Sequence, residues 1–348
     1  MSDVTDFDPN GVGVKGSLFG LPYTVNEAAI VIVPVPWDVT VSYGAGTANG
    51  PAAILEASPQ IDYAQPDMQE AWKLPIAMAE IPQDWLEKGK SLRRKAVRYI
   101  DWLEEGSPDG QELEMLSAQV EINEHCAELM TYVEQECKAW QEQDKLTILL
   151  GGDHSTSLGN IRALAQRHES FGILQIDAHA DLRNAYEGFV YSHASVMHNA
   201  LKTPAVERLV QVGIRDFCEE EKTVIQNSEG RVKTFFDADL KAAMYRGKSW
   251  DSLCAEIVDA LPDRVYLSFD IDGLDPKLCP NTGTPVPGGF ELEQVMYLIK
   301  CLVDSGRTLI GADLNEVAPG ADEWDANVGA RALYRMALLM SQSNKAAH

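Results

Sequence analysis

Positive charge is scarce in this sequence. Of its 348 residues only 29 are Lys or Arg, against 53 Asp or Glu, for a formal net charge of −24. So acidic a surface repels nucleic acid and anionic membranes, which are bound through lysine and arginine, and neither is expected as a partner. It attracts small cations, and the same imbalance also serves solubility. Also lacking is any run of about 18 apolar residues, the length a membrane-spanning helix needs. Residues 1–13 are acidic and polar, without the basic and apolar regions of a secretory signal. A cytoplasmic protein is therefore expected. The cysteines, Cys126, Cys137, Cys218, Cys254, Cys279 and Cys301, form no Cys-x-x-Cys pair. They fall in apolar patterns, where a free thiol behaves as a small hydrophobe, so neither a disulfide framework nor a structural zinc site is expected. No internal repeat and no low-complexity linker divides the chain.

What is present is a rhythm of short apolar runs and amphipathic stretches. The runs cover 29–35 (AIVIVPV), 146–150 (LTILL), 171–176 (FGILQI), 209–212, 232–235, 265–269 (VYLSF) and 308–312 (TLIGA). They alternate little, as in parallel strands buried on both faces. Between them, 113–140, 155–167, 249–261, 292–303 and 327–340 carry helical periodicity. The first of these has its apolar stripe at Leu113, Leu116, Val120, Cys126, Met130, Val133, Cys137 and Trp140. Alternating strands and helices predict an α/β fold with helices packed around a mostly parallel sheet. Residues 1–28 read as an N-terminal arm and 29–348 as a single catalytic domain, with GSPDG at 106–110 a loop inside it. The segment 82–115, with Trp85, Trp102 and the basic run Arg93-Arg94-Lys95, reads by default as a solvated helix face. A lid or an oligomer contact are its other readings.

In open α/β sheets ligands gather at the carboxyl ends of strands. LTILL is followed by Gly-Gly-Asp153-His154-Ser155, and FGILQI by Asp177-Ala-His179-Ala-Asp181. VYLSF is followed by Asp270-Ile-Asp272, and TLIGA by Asp313-Leu-Asn315-Glu316. In extended chain Asp177, His179 and Asp181 would point the same way, with Asp270 and Asp272 doing likewise and His154 adding a sixth donor. Four crowded carboxylates repel one another, and two divalent cations would balance their charge. Histidine beside carboxylate favours a first-row transition metal over calcium or magnesium. Manganese suits the mix, with nickel, cobalt or iron as alternatives. Taken singly, an Asp after a strand is a helix cap or turn former, and Asp153 reads as that or as a hydrogen-bond partner behind the ligands. Two metals about 3.5–4 Å apart can present water as a nucleophile near neutral pH. That chemistry serves attack on carbon or phosphorus alike.

At these residues the chain resembles the ureohydrolase family of arginase, agmatinase and formimidoylglutamase. GGDHS at 151–155, DAHAD at 177–181 and SFDIDGLDP at 268–276 match its signature segments, and the likeness extends over roughly residues 30–340. The resemblance implies a three-layer α/β/α sandwich on an eight-stranded parallel sheet, a binuclear manganese centre and a trimer or hexamer. It implies that His154, Asp177, Asp181 and Asp270 hold one metal. His179, Asp177, Asp270 and Asp272 would hold the other, with Asp177 and Asp270 bridging. Asp181 is counted among the catalytic residues as well. His193 would pass a proton to the leaving amine, a task suited to imidazole; otherwise it is a loop histidine facing solvent. Glu316 would pair with a guanidinium through two parallel hydrogen bonds; otherwise it is an acid at a helix start. TGTP at 282–285 matches a loop beside the centre. The segment 42–53 matches one near the N-terminus to which no chemistry is assigned.

The substrate loop should be 182–199, LRNAYEGFVYSHASVMHN. It departs from the arginase pattern and is closer to agmatinase-like members. The expected reaction is agmatine to putrescine and urea. The alternatives are a guanidine or guanidino-acid hydrolase, with nickel as its metal, formimidoylglutamase, and a non-catalytic partner subunit. A metal-dependent phosphoesterase is disfavoured by the lack of a basic phosphate cradle. Arg183 could pair a substrate carboxylate, though a surface role is its default.

Overall fold

The computed structural model describes residues 7–66 and 68–345. In chain order the elements are β1 (Ile30–Val35), α1 (Gly50–Ala57), β2 (Ile76–Met78), α2 (Gln83–Glu104), α3 (Glu112–Gln141), β3 (Leu146–Gly151), α4 (Ser157–Ala165), β4 (Phe171–Ile176), α5 (Val196–Ala200) and β5 (Val206–Ile214). They continue with α6 (Glu219–Asn227), β6 (Val232–Phe236), α7 (Asp237–Tyr245), α8 (Trp250–Asp259), β7 (Arg264–Asp270), α9 (Leu292–Asp304), β8 (Thr308–Asn315) and α10 (Trp324–Lys345). The strands form one sheet in the order β2-β1-β3-β8-β7-β4-β5-β6. All neighbouring pairs are parallel.

The apolar runs are continuous because both sheet faces are covered. Successive residues of β1 serve opposite cores. Ile30 and Ile32 belong to the core that also takes in Ile54 of α1, Leu240 of α7, Ile257 of α8, Ile299 of α9 and Leu333 of α10. Val31 and Val33 belong to the opposite core, with Leu92 of α2, Ile122 of α3, Leu158 of α4 and Val196 of α5. The result is the expected three-layer sandwich. The four motif-bearing strands are its contiguous centre, β3-β8-β7-β4, so their carboxyl ends open into one crevice.

The structure differs from the sequence reading in local ways. Strand β2 was not anticipated; at three residues on the sheet edge it is too short to show a period. Helix α3 forms, but Leu113, Leu116 and Val120 are exposed. Its buried face there is Met115 and Ile122, turned toward α2, with which α3 packs. Segment 82–115 is α2 and the start of α3, joined by the turn at 106–110. Far from being wholly solvated, α2 buries Leu92, Ala96, Tyr99, Ile100 and Trp102. Of the N-terminal stretch, residues 1–6 lie outside the described residues. Leu18, Phe19 and Leu21 are buried, and the Phe19 ring stands 5.0 Å from that of Tyr334 on α10. Among the described residues no helix is long and apolar enough to cross a membrane.

Candidate metal centre

Two glycines let the end of β3 enter the crevice. A Cβ on Gly151 would run into the Asn315 side chain, and one on Gly152 into the Trp37 backbone. The chain then turns, and the Asp153 side chain caps that turn by accepting from the Ser155 backbone N–H at 3.0 Å. His154 is thereby aimed inward and is 1% exposed.

Asp177 follows β4 directly, but residues 177–181 are not a regular strand. Asp181 has φ 54, a left-handed conformation that a non-glycine residue adopts at some strain. Its carbonyl accepts the N–H groups of Met197 and His198, both at 3.1 Å. Convergence of Asp177, His179 and Asp181 thus comes from a kinked loop rather than from the strand pleat. On the neighbouring strand, Asp270 closes β7 and Asp272 lies in the next turn. The Asp272 N–H donates to Asp270 Oδ1 at 2.9 Å.

The six residues meet in two groups. His154 Nδ1 lies 3.1 Å from Asp177 Oδ2, 2.9 Å from Asp181 Oδ2 and 3.3 Å from Asp270 Oδ2. His179 Nδ1 lies 2.9 Å from Asp272 Oδ2 and 3.6 Å from Asp177 Oδ1. Donor atoms of His154, Asp177 and Asp270 fall within 4.8 Å of one another, as do those of Asp177, His179 and Asp272. Asp177 is common to both groups.

Polar partners behind these residues fix their orientation. His154 Nε2 is 2.9 Å from Ser268 Oγ, which donates to Asp313 Oδ1 at 3.0 Å. Asn315 Nδ2 donates to the same oxygen. Asp177 Oδ2 accepts from Gln175 Nε2 at 2.8 Å, Gln175 Oε1 from Gln211 Nε2 at 2.7 Å, and Gln211 Oε1 from Thr234 at 2.8 Å. These partners were missed in the sequence. Their signal was a polar residue inside an otherwise apolar strand: Gln175 in FGILQI, Gln211 in LVQV, Ser268 in VYLSF. Asp313 was expected at a strand end, but β8 runs on to Asn315 and places it inside the sheet.

Electrostatics mark the cluster as a cation site. Burial alone would lower the His154 pKa, but Asp177, Asp181 and Asp270 outweigh it and raise it well above the ordinary value. His179 behaves alike, raised chiefly by Asp272 against the pull of burial. Asp181 is pushed up to about 7 by burial and by Asp177. Burial with Asp272 and Asp177 pushes Asp270 well above the carboxylate range. A buried group of carboxylates can hold protons or metal, and so many at one point are costly unless a cation neutralises them. His154 Nδ1 is buried and faces three carboxylate oxygens, as a metal-ligating nitrogen should. With imidazole and carboxylate donors and no thiolate, the residues present fit a pair of divalent transition-metal ions.

Above the cluster is a cavity of about 130 Å³ whose walls include Ser42, Arg183, Tyr186, His193, Phe217 and Thr284. His193 is half-buried, and burial with the nearby His179 and His154 drives its pKa down to about 3. Its Nδ1 faces Ser192 Oγ at 3.3 Å. Glu316 is 4% exposed, and burial with Asp270 and Asp153 raises its pKa well above the usual range. A Cβ on Gly283 would come 3.2 Å from Glu316 Oε2, so the 282–285 loop lies against that carboxylate. Arg183 is in the cavity wall rather than on open surface, over the Tyr186 ring at 4.8 Å. Phe217 and Asp216, which also reaches the cavity, were not anticipated and stand on a loop without a motif; Ser42 opens the 42–53 segment, to which no chemistry was assigned.

Residues 28–339 match the family model described as the arginase family. The N(1)-aminopropylagmatine ureohydrolase of Thermus thermophilus is 30% identical over 308 residues, covering 86% of this chain and 85% of the relative. The agmatinase of Bacillus cereus is 29% identical, covering 86% of this chain and 87% of the relative. In fold, the chain is similar to the agmatine ureohydrolase of Thermoplasma volcanium, with a TM-score of 0.71 at 24% identity over 98% of this chain and 97% of that one. Enzymes of the matched family bind a binuclear metal centre and hydrolyse amidino C–N bonds. With a family match spanning most of its length, and the strand-end cluster at the middle of the sheet, this chain belongs to the arginase family of ureohydrolases.

Proposed function

We propose that the protein hydrolyses a guanidino compound to urea and an amine, with agmatine or a longer polyamine derivative as substrate. His154, Asp177, His179, Asp181, Asp270 and Asp272 would hold two divalent ions, manganese first and nickel as the alternative. The observation that carries this reading is the meeting of those six side chains beside a cavity lined by His193 and Thr284, with Glu316 against the 282–285 loop. When bound, the metal pair neutralises the carboxylates and lowers the pKa of water so that a nucleophile exists near neutral pH.

The chain's own groups supply the rest. Glu316 has one oxygen engaged by the His154 N–H and the other toward the 282–285 loop, free to accept a guanidinium hydrogen bond. His193 stands in the cavity wall, where its imidazole would pass a proton to the departing nitrogen. The small cavity admits a slender chain. An acidic protein favours a substrate whose far end is an ammonium. A second reading, a guanidino acid, rests on Arg183 in the cavity wall. Formimidoylglutamate is less suited, since its two carboxylates would need more than that one cation. The homo-oligomer, trimer or hexamer, and the cytoplasmic location belong to this same proposal.

The test is urea release by protein loaded separately with manganese and with nickel. Substrates are agmatine, aminopropylagmatine, arginine, guanidine, guanidinobutyrate and guanidinopropionate. Urea from agmatine or aminopropylagmatine is the expected result. Urea from a guanidino acid alone would favour the second reading. No urea from any, in protein carrying two metals per chain, would overturn the assignment and favour a formimidoyl substrate or a non-catalytic partner subunit.

A further inference from the structure

The substrate loop is not held by the sheet. Tyr186 and Phe189 exchange backbone hydrogen bonds at 3.1 and 2.8 Å, and Glu187 and Gly188 between them have φ 51 and 79. This is a two-residue hairpin, whose tight turn needs positive φ at both central positions. So small a hairpin is not stable by itself. Asn199 of α5 donates to Val190 O at 2.8 Å, and the rest of the hairpin's support comes from the α2–α3 pair. On α3, Asn123 grips both sides of the tip: its Nδ2 donates to Gly188 O at 3.0 Å and its Oδ1 accepts from Val190 N at 2.9 Å. Gln119, one turn earlier, also donates to Gly188 O. From α2, the Tyr99 ring meets the buried Phe189 edge-on at 5.3 Å. Arg93, also on α2, donates to the carbonyls of Val39 and Val41, and so holds the loop that brings Ser42 to the cavity.

We propose that the α2–α3 hairpin braces the substrate-binding loops, with Asn123 as the positioning residue that sets Tyr186 and Arg183 in the cavity wall. This rests on the reading of the cavity as the guanidino-substrate site. Asn123 suits the role because one planar amide supplies both a donor and an acceptor, matching the carbonyl and the N–H of a turn two residues apart. Asn123 is not among the residues that line the cavity. Its loss loosens the loop without removing a ligand, and the consequence falls on substrate binding before chemistry.

The experiment compares Asn123→Ala with wild type and with Glu124→Ala, an exposed neighbour on the same helix. For Asn123→Ala a rise in KM of roughly 5- to 20-fold is expected, as for the loss of one or two hydrogen bonds, with kcat within about twofold. Two metals per chain remain bound. Amide exchange of residues 186–190 accelerates by a similar factor while that of 177–181 stays at the wild-type rate. Glu124→Ala matches wild type throughout. A wild-type KM, or wild-type exchange in 186–190, overturns the proposal. If the wild-type protein releases no urea from any guanidino compound, the substrate reading has failed separately. The exchange rates then judge the brace alone.

Discussion

The backbone N–H of His154 donates to Glu316 Oε1 at 2.9 Å. The Glu316 backbone N–H in turn donates to Gly152 O at 2.9 Å. These two bonds stitch the turn after β3 to the end of β8, across residues 162 positions apart. Glu316 reaches this place only in a left-handed conformation, φ 64, whose strain is typical of a functional position. The turn that carries the proposed metal ligand His154 therefore also orients the carboxylate proposed to meet the guanidinium.

Glu316→Gln separates these two duties. The amide oxygen still accepts the His154 N–H, but the negative charge is gone. A fall in kcat/KM of roughly a hundredfold or more is expected, with two metals still bound by elemental analysis. Wild-type kinetics in this variant would remove Glu316 from the substrate site.

Ser268 acts through His154, standing between its Nε2 and Asp313. Such partners orient the ligand ring and raise its basicity. Ser268→Ala is expected to weaken metal binding by about 10- to 100-fold in competition with a chelator. An unchanged affinity would mean that packing alone holds the imidazole.

Metal affinity should depend steeply on pH. Without metal, His154 and His179 are held protonated by the carboxylates around them, and Asp181 keeps its proton up to about 7. Metal can bind only as these protons leave. Raised pKa values therefore mean weaker binding below neutrality and tighter binding as pH rises through 7. Calorimetry in buffers of different ionisation enthalpy should register proton release on loading at pH 7. Binding without proton release would show the apo cluster to be unprotonated.

The N-terminal stretch should be an integral part of the core. Phe19 is fully buried, packs on Tyr334, accepts the Tyr63 hydroxyl at its carbonyl and donates its N–H to Ser58. Phe19→Ala removes a large buried side chain, at a cost of roughly 3–5 kcal/mol. A clear drop in the denaturant midpoint is expected. A midpoint equal to that of wild type would mean that this stretch is not docked in solution.

The strands were legible because both faces of a parallel sheet are buried and its strands read as plain apolar runs. Long helices were legible from their period. The short edge strand β2 was not, nor were α6 and α7, which are nine residues each and present little periodic signal. Helix α3 misled at Leu113, Leu116 and Val120, where the period is genuine but no core lies opposite.

What the sequence by itself determined is the chemistry on offer. Carboxylates and imidazoles follow the apolar runs at close spacing, and local spacing survives folding because it is covalent. Only the tertiary structure decided how these groups meet. Strand order is fixed by the packing of helices on both faces, and it brings β3, β4, β7 and β8 side by side although more than a hundred residues separate the first from the last. The sorting of six side chains into two groups, the Ser268 and Gln175 chains behind them, and the grip of Asn123 on the substrate loop all join residues far apart in sequence. Their hydrogen bonds form only where the fold brings the partners within about 3 Å, and no local pattern records that.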